Sequence, residues 1–265
     1  MTPRRKKLLA AMAAGVALAL LLMVGPAFAW MPVHPGYQAR PSARAVVLST
    51  DLARVEPGYA DVDQIMAGAE KLFDLHYHRP VKVFVCYSKW EMRRYLPWMY
   101  PGPPAAVTMM TGGVIYLNQD NLERRNADKV DYLKHELTHE LMFQNAGLLN
   151  SARLPTWFNE GTAEYYGGPY YLTQAEFLAQ WRGHKFTHEP GSKDLYADLD
   201  PQDPKFNYTL YRYFVEYLVR AYGLPEFRSY LHEYLRAPGR YQELFRRHFG
   251  VDFGQAIRDF ETDLN

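Results

Sequence analysis

The chain has 265 residues, 48% hydrophobic and 22% charged, a balance that suits one or two globular domains and excludes a disordered or repeat protein. The 30 basic and 29 acidic residues nearly cancel. The single cysteine, Cys86, excludes an intramolecular disulfide, and its apolar surroundings predict a small buried hydrophobic side chain.

Residues 1–29 carry the pattern of an export signal. A basic stretch, 4–7, precedes an apolar run, 8–24, and Ala27-Phe28-Ala29 matches a cleavage site that would make Trp30 the mature N-terminus. The apolar run approaches the roughly 18–20 residues that span a bilayer, so a retained N-terminal membrane anchor is the alternative. Either way, residues 30–265 are expected to be exported, to the periplasm or outside the cell, with membrane contact only through this segment.

The exported part carries no excess of positive charge. It has 26 basic and 29 acidic residues, a net charge of −3. A nucleic-acid partner would favour a basic face, so none is expected.

The first half of the exported part alternates predicted strands and helices. Residues 30–44 read as a linker rich in proline and glycine. The following pattern predicts strands at 45–50, 81–87 and 112–118, helices at 61–76 and 88–95, and a loop at 97–106. Two glycines, Gly112 and Gly113, open the last strand. They indicate either close approach of a partner or ligand, or an ordinary turn.

From residue 126 onward the pattern is helical. One helix is predicted from an N-cap at Asn126 to Gly147, with an apolar stripe, and later helices at 173–182, 208–222, 225–236, 240–248 and 251–263. The expected fold is therefore α+β: a small mixed sheet (sheet part 45–125), then a helical part that ends in a helical C-terminal subdomain (126–265). Together these form one domain, 45–265.

A motif with chemical meaning lies in the middle of the first of these helices. Residues 135–139 read H-E-L-T-H, so His135 and His139 are four apart and share one helix face. Two neutral imidazoles in that arrangement can bind one zinc ion. Glu136 is rotated away from the metal and is the candidate general base toward an activated water.

A catalytic zinc site needs a third protein ligand. Glu160 lies twenty residues beyond His139, enough for the helix to end, turn and return antiparallel with Glu160 beside the histidines. Thr156 is the predicted cap of that second helix. Gly161 has no side chain and is predicted to leave space on the helix surface beside the metal. Glu164, one turn later, is the candidate acceptor that orients His135.

These motifs resemble a known family. H-E-L-T-H followed by W-F-N-E-G-T-A-E-Y is similar to the gluzincin zinc metallopeptidases, above all to the compact peptidase MA-like group. The resemblance covers residues 112–166 well, extends to a tyrosine-containing helix at 206–223, and elsewhere holds only in outline. It implies a gluzincin catalytic fold with one Zn²⁺ per chain.

The resemblance also implies where a substrate binds and what stabilises the oxyanion. The strand at Gly113, Val114, Ile115 and Tyr116 would lie at the sheet edge and pair with an extended peptide. Tyr208, or else Tyr211, would face the oxyanion. Three histidines are further alternatives for that role: His184, His188 and His232.

The predicted function is that of an exported zinc metallopeptidase, a hydrolase of peptide or protein substrates. A zinc-activated water would attack the peptide bond with Glu136 as general base. Two alternatives stay open: an unproductive scaffold protein of the cell envelope with the same fold, and a zinc amidase acting on a cell-wall component.

Overall fold

A computed structural model describes residues 34–95, 104–168 and 171–264, together with the single residue Arg5. The predicted export segment 1–29 and most of the predicted loop 97–106 therefore lie outside the described residues, Arg5 apart. The strands are β1 (Gln38–Pro41), β2 (Ala45–Ser49), β3 (Val81–Cys86), β4 (Ala106–Thr108) and β5 (Val114–Asn118). The helices are α1 (Val62–Phe73), α2 (Lys89–Tyr95), α3 (Gln119–Arg124), α4 (Lys129–Ala146), α5 (Leu148–Ser151), α6 (Thr156–Gly167), α7 (Gln174–Arg182), α8 (Pro204–Tyr222), α9 (Leu224–Arg236), α10 (Tyr241–Phe249) and α11 (Phe253–Leu264).

The five strands form one mixed sheet in the order β1-β2-β3-β5-β4. The three central strands are parallel, and β1 and β4 flank them antiparallel. The expected α+β fold with a small mixed sheet is confirmed. The predicted linker 30–44 is corrected, because Gln38–Pro41 pairs with β2 as an edge strand.

Both faces of the central strands are covered, because alternate side chains point to opposite sides of a strand. On one face Val83 and Ile115 pack with Leu133 and Leu137 of α4. On the other, Phe84 packs in a separate cluster with its neighbours on β2 and β5. Cys86 belongs to that second cluster and is fully buried, as expected. Helix α4 therefore packs on one face of the sheet.

The predicted substrate strand is not at the sheet edge. Strand β5 lies between β3 and β4, and Val114, Ile115 and Tyr116 are all buried within the sheet. Gly113 precedes the strand, in the turn that leads into it. The physical reason is that β4, too short and too close to a proline-rich stretch to be read from the sequence, takes the outer position.

The free edge of β4 presents specific backbone groups. The Ala105 carbonyl accepts from Asn118 N–H, and Met109 N–H donates to the Val114 carbonyl. Backbone pairing alternates along an antiparallel strand, so the N–H and C=O groups of Ala106 and Thr108 point away from β5. Among the described residues, no further strand pairs at this edge.

The second half of the chain is helical, with one long interruption between Arg182 and Pro204. Helix α8 begins at Pro204 rather than the predicted 208, because the Asp203 side chain caps it and proline suits the first helical turn. An aromatic core including Trp157, Phe158 and Phe214 joins α6, α8 and the C-terminal helices. No helix in the described ranges combines the length and apolar character needed to cross a bilayer.

Helix α6 runs very close to α8 at Gly161. A Cβ added to Gly161 would lie 2.6 Å from the Tyr211 carbonyl oxygen, a backbone atom that cannot rotate away. The predicted role of this glycine beside the metal is therefore corrected: it allows α6 and α8 to pack closely.

Replacing Gly161 with alanine is expected to destabilise the protein by about 1–3 kcal/mol, the usual cost of overpacking, and so to lower Tm by several degrees. Thermal unfolding followed by circular dichroism measures the change. Gly239→Ala is the matched control, since a Cβ there meets nothing within 4 Å. Equal Tm values for the two variants would contradict this view of the helix crossing.

Candidate metal centre

Helix α4 carries the first two candidate ligands and begins later than predicted. The Asp128 carboxylate accepts from the backbone N–H of Val130 and of Asp131, which makes Asp128 the N-cap. The predicted cap, Asn126, instead lies in the preceding turn with a φ of 50°. The helix ends before Gly147, whose φ of 72° suits glycine, as expected.

Helix α6 carries the third candidate ligand. Pro155 occupies its N-cap position and Thr156 is its first residue, so the predicted cap at Thr156 is corrected. The later histidine of α4, His139, contacts Glu160, and the earlier one, His135, also contacts Glu164, one turn later on α6. The two helices are therefore antiparallel, as the spacing predicted.

The three predicted ligands converge. Their ligand atoms all lie within 4.8 Å of one another. The Glu160 Oε2 atom is 3.3 Å from the Nε2 atoms of both His135 and His139, and those two nitrogens are 3.0 Å apart. Two imidazole nitrogens and one carboxylate oxygen form a donor set that suits zinc, and three protein ligands is the number that catalytic zinc sites use.

The far nitrogen of each histidine lies close to an oxygen atom of another side chain. His135 Nδ1 lies 3.0 Å from Glu164 Oε1, and His139 Nδ1 lies 3.2 Å from Asn159 Oδ1. A proton on each Nδ1 leaves both Nε2 lone pairs free toward the shared point, as metal ligation requires. Glu164 therefore lies beside His135, where it was predicted. Asn159 was not predicted, although it directly precedes the candidate ligand Glu160 in the sequence.

Charge favours an ionised ligand carboxylate. Burial acts to raise the pKa of Glu160, but His139 and His135 lower it overall. Burial also acts to lower the pKa of His135, and the carboxylates of Glu164 and Glu160 raise it overall. Glu160 and Glu164 thus place negative charge beside the two imidazoles, and a divalent cation would interact favourably with that charge once His135 releases its proton.

Glu136 lies beside this cluster and is held by an unexpected partner. The Thr108 hydroxyl on β4 is 2.6 Å from Glu136 Oε2 and 2.9 Å from the Glu136 carbonyl oxygen. Burial raises the pKa of Glu136, which strengthens it as a base, while the two nearby histidines and Thr108 oppose the rise. Thr108 was missed because nothing local in the sequence links the two residues.

Of the two candidate tyrosines, Tyr208 lies at the site. Its ring stacks on the His135 ring with centroids 6.3 Å apart and planes 20° apart. Burial raises its pKa, so the hydroxyl stays protonated and able to donate. Tyr211 packs against Tyr208, and burial raises its pKa to about 12.

The three alternative histidines are engaged with backbone carbonyls. His184 contacts the Gln180 carbonyl, His188 that of Leu195, and His232 that of Phe73. None of them belongs to the donor cluster found in the described residues.

Removing the Glu164 carboxylate should weaken metal binding. Glu164→Ala leaves His135 Nδ1 without its acceptor, and losing such a partner typically costs about 10–100-fold in metal affinity. Glu164→Gln, which keeps an acceptor oxygen, should lose less. Competition with a chromogenic chelator measures the zinc Kd, and the exposed Glu189→Ala is the control. An unchanged Kd in Glu164→Ala would show that His135 needs no orienting partner.

Known proteins share this architecture at low sequence identity. The M1 zinc metallopeptidase from Deinococcus radiodurans, solved as a point mutant, aligns over 84% of this chain and 51% of its own, with a TM-score of 0.53 and 14% identity. The same mutant bound to a Tyr-Ser-Ala substrate aligns over 85% of this chain and 51% of its own, with a TM-score of 0.52 and 14% identity. A two-domain M1 zinc metallopeptidase mutant bound to L-arginine matches to the same extent (85% and 51%, TM-score 0.52, 14% identity).

These comparisons establish the fold: the structural neighbours are M1 zinc metallopeptidases, members of the gluzincins. This chain spans about half the length of the solved structures that it matches. No protein-family profile matches the chain, and no curated protein matches it in sequence.

Proposed function

We propose that the protein is a zinc-dependent metallopeptidase that hydrolyses peptide bonds. The convergence of His135, His139 and Glu160 on one point, with the Glu136 carboxylate beside it, carries the proposal. The fold shared with M1 zinc metallopeptidases supports it.

A zinc ion held by these three residues would supply Lewis acidity toward a carbonyl oxygen and water. Glu136 takes a proton at its carboxylate and returns it to the leaving amine. Thr108 keeps that carboxylate in one orientation through its 2.6 Å contact. Glu164 and Asn159 keep the histidine rings aimed at the metal.

The free edge of β4 supports an extended peptide as the substrate. An extended peptide adds a strand by pairing with outward backbone groups, here those of Ala106 and Thr108. The Thr108 side chain reaches Glu136 from the same strand, so a paired peptide would run past the base. This moves the proposed substrate edge from residues 113–116 to β4.

Tyr208 is the proposed oxyanion donor. Tyr208→Phe should lower kcat by about 10²–10³-fold, the usual cost of one such donor, with zinc retained. Tyr211→Phe is the matched control on the same helix and should stay near wild type. Steady-state kinetics with metal analysis separates the two, and equal activities would remove Tyr208 from this role.

Export is proposed from the sequence pattern of residues 1–29, with the active domain in the periplasm or outside the cell, free or anchored. The net charge of −3 of residues 30–265 supports a peptide or protein substrate rather than a nucleic acid.

The decisive experiment incubates the purified, zinc-loaded chain with a peptide library, with and without chelator, and reads cleavage by mass spectrometry. Cleavage that chelator stops and zinc restores is the expected result. One bound zinc without any peptide cleavage would overturn the proposal and favour a cell-wall amidase or an unproductive scaffold.

A further inference from the structure

A second buried carboxylate follows the metal ligand on α4. Glu140, next to His139 in sequence, is fully buried. Neither the donor cluster nor the proposed proton transfer uses it. A carboxylate is costly to bury, so its hydrogen-bond partners indicate what it does.

The main partner of Glu140 is the turn between β4 and β5. Its Oε1 atom accepts the backbone N–H of Gly113, and it also accepts from Gln144 Nε2 at 2.6 Å. Gly112 and Gly113 have φ values of 75° and 84°, which suit glycine and bring the backbone close to the carboxylate. A Cβ at Gly112 would lie 3.2 Å from Glu140 Oε1 and 2.5 Å from an Arg79 nitrogen.

Gln144 extends the attachment to the segment before β3. Its Oε1 atom accepts the backbone N–H groups of His78 and Arg79, and its Nε2 atom donates to the Arg79 carbonyl. Arg79 in turn donates to the Thr111 carbonyl in the same turn. The close approach that the paired glycines indicated is therefore made by hydrogen-bonding groups of this chain itself.

The β4–β5 hairpin is thus hydrogen-bonded to α4 at two points. Thr108, at the end of β4, donates to Glu136, and Gly113, just before β5, donates to Glu140. Glu136 and Glu140 are four residues apart and share a face of α4. The outward backbone groups of Ala106 and Thr108 therefore have a fixed place relative to His135 and His139.

We propose that Glu140 is a positioning residue that fixes the substrate-pairing strand β4 at its working distance from the metal site. This inference rests on the proposed peptidase function. An apolar side chain of similar size could fill the space but would leave the Gly113 N–H without its acceptor, and the hairpin would loosen. A loosened β4 has to be ordered again when a peptide pairs with it, so the cost is expected in substrate affinity.

Glu140→Met and Glu140→Gln form the test pair. Glutamine keeps an oxygen that accepts the Gly113 N–H, whereas methionine keeps the volume and removes the acceptor. Glu140→Met should raise KM for an extended peptide about ten-fold, as leaving the Gly113 N–H without an acceptor allows, with one zinc bound and kcat little changed. Glu140→Gln should restore KM to near wild type.

Hydrogen exchange of the peptide covering residues 104–118 provides a readout independent of activity. Glu140→Met should exchange faster there than wild type, and Glu140→Gln should not. Wild-type KM and wild-type exchange in a folded, zinc-loaded Glu140→Met protein would overturn the inference. A purely structural role would lower Tm but leave KM unchanged, which also counts against it.

A third variant covers the case in which Glu140→Met does not fold. Gly112→Ala perturbs the same turn from the other side, and it should raise KM and exchange in the same way, with Gly239→Ala as the control. Unchanged values in Gly112→Ala would then overturn the inference. If the wild-type protein cleaves no peptide, the proposed function fails, while the exchange comparison still decides whether Glu140 fixes the hairpin.

Discussion

Replacing Glu136 with glutamine is expected to leave one zinc bound and to reduce kcat by about 10²–10⁴-fold, the range that general acid–base catalysis contributes. Glutamine has nearly the same shape, and its amide oxygen can still accept from the Thr108 hydroxyl. It lies outside the cluster of His135, His139 and Glu160, so metal binding should persist. What glutamine lacks is a basic oxygen able to take a proton.

Two measurements on the same sample check this result. Metal analysis gives the zinc content, and steady-state kinetics on a peptide found in the library screen gives kcat and KM. Glu189→Gln, at an exposed position, makes the same chemical change away from the site and should behave as wild type. Unchanged turnover in Glu136→Gln would remove Glu136 as the base, and lost zinc would make it a ligand instead.

The candidate metal centre was largely predictable because its residues lie close together in the sequence. The four-residue spacing of His135 and His139 places both on one face of any helix that contains them. The length of chain before Glu160 allows one antiparallel return and little else. The structure brings all three residues together, with Glu164 beside His135 as expected.

The surroundings of the site were harder to predict because they depend on strand order. Residues 114–118 are all buried, as is typical of a strand in the interior of a sheet. The family resemblance had instead placed this strand at the sheet edge. The true edge strand, β4, has three residues and follows a proline-rich stretch that reads as loop. Thr108 could not be linked to Glu136 before that strand was placed against α4.

Replacing His139 with alanine is expected to abolish zinc binding at micromolar protein and metal concentrations. The substitution leaves one imidazole and one carboxylate, and a site with two protein ligands lacks the three that catalytic zinc sites use. It also removes the partner of Asn159, so the face of α6 loses an ordered contact. Activity should fall to background because the metal and its polarising charge are lost together.

Zinc content after dialysis, and Tm with and without added zinc, test this expectation. A bound metal stabilises the folded state by about 4 kcal/mol when its concentration is 1,000 times Kd, so wild-type Tm should rise with zinc while His139→Ala stays unchanged. His184→Ala, at an exposed position, is the control and should respond as wild type does. A zinc-dependent rise in His139→Ala would mean that another group completes the site, and the assignment of the three ligands would have to be abandoned.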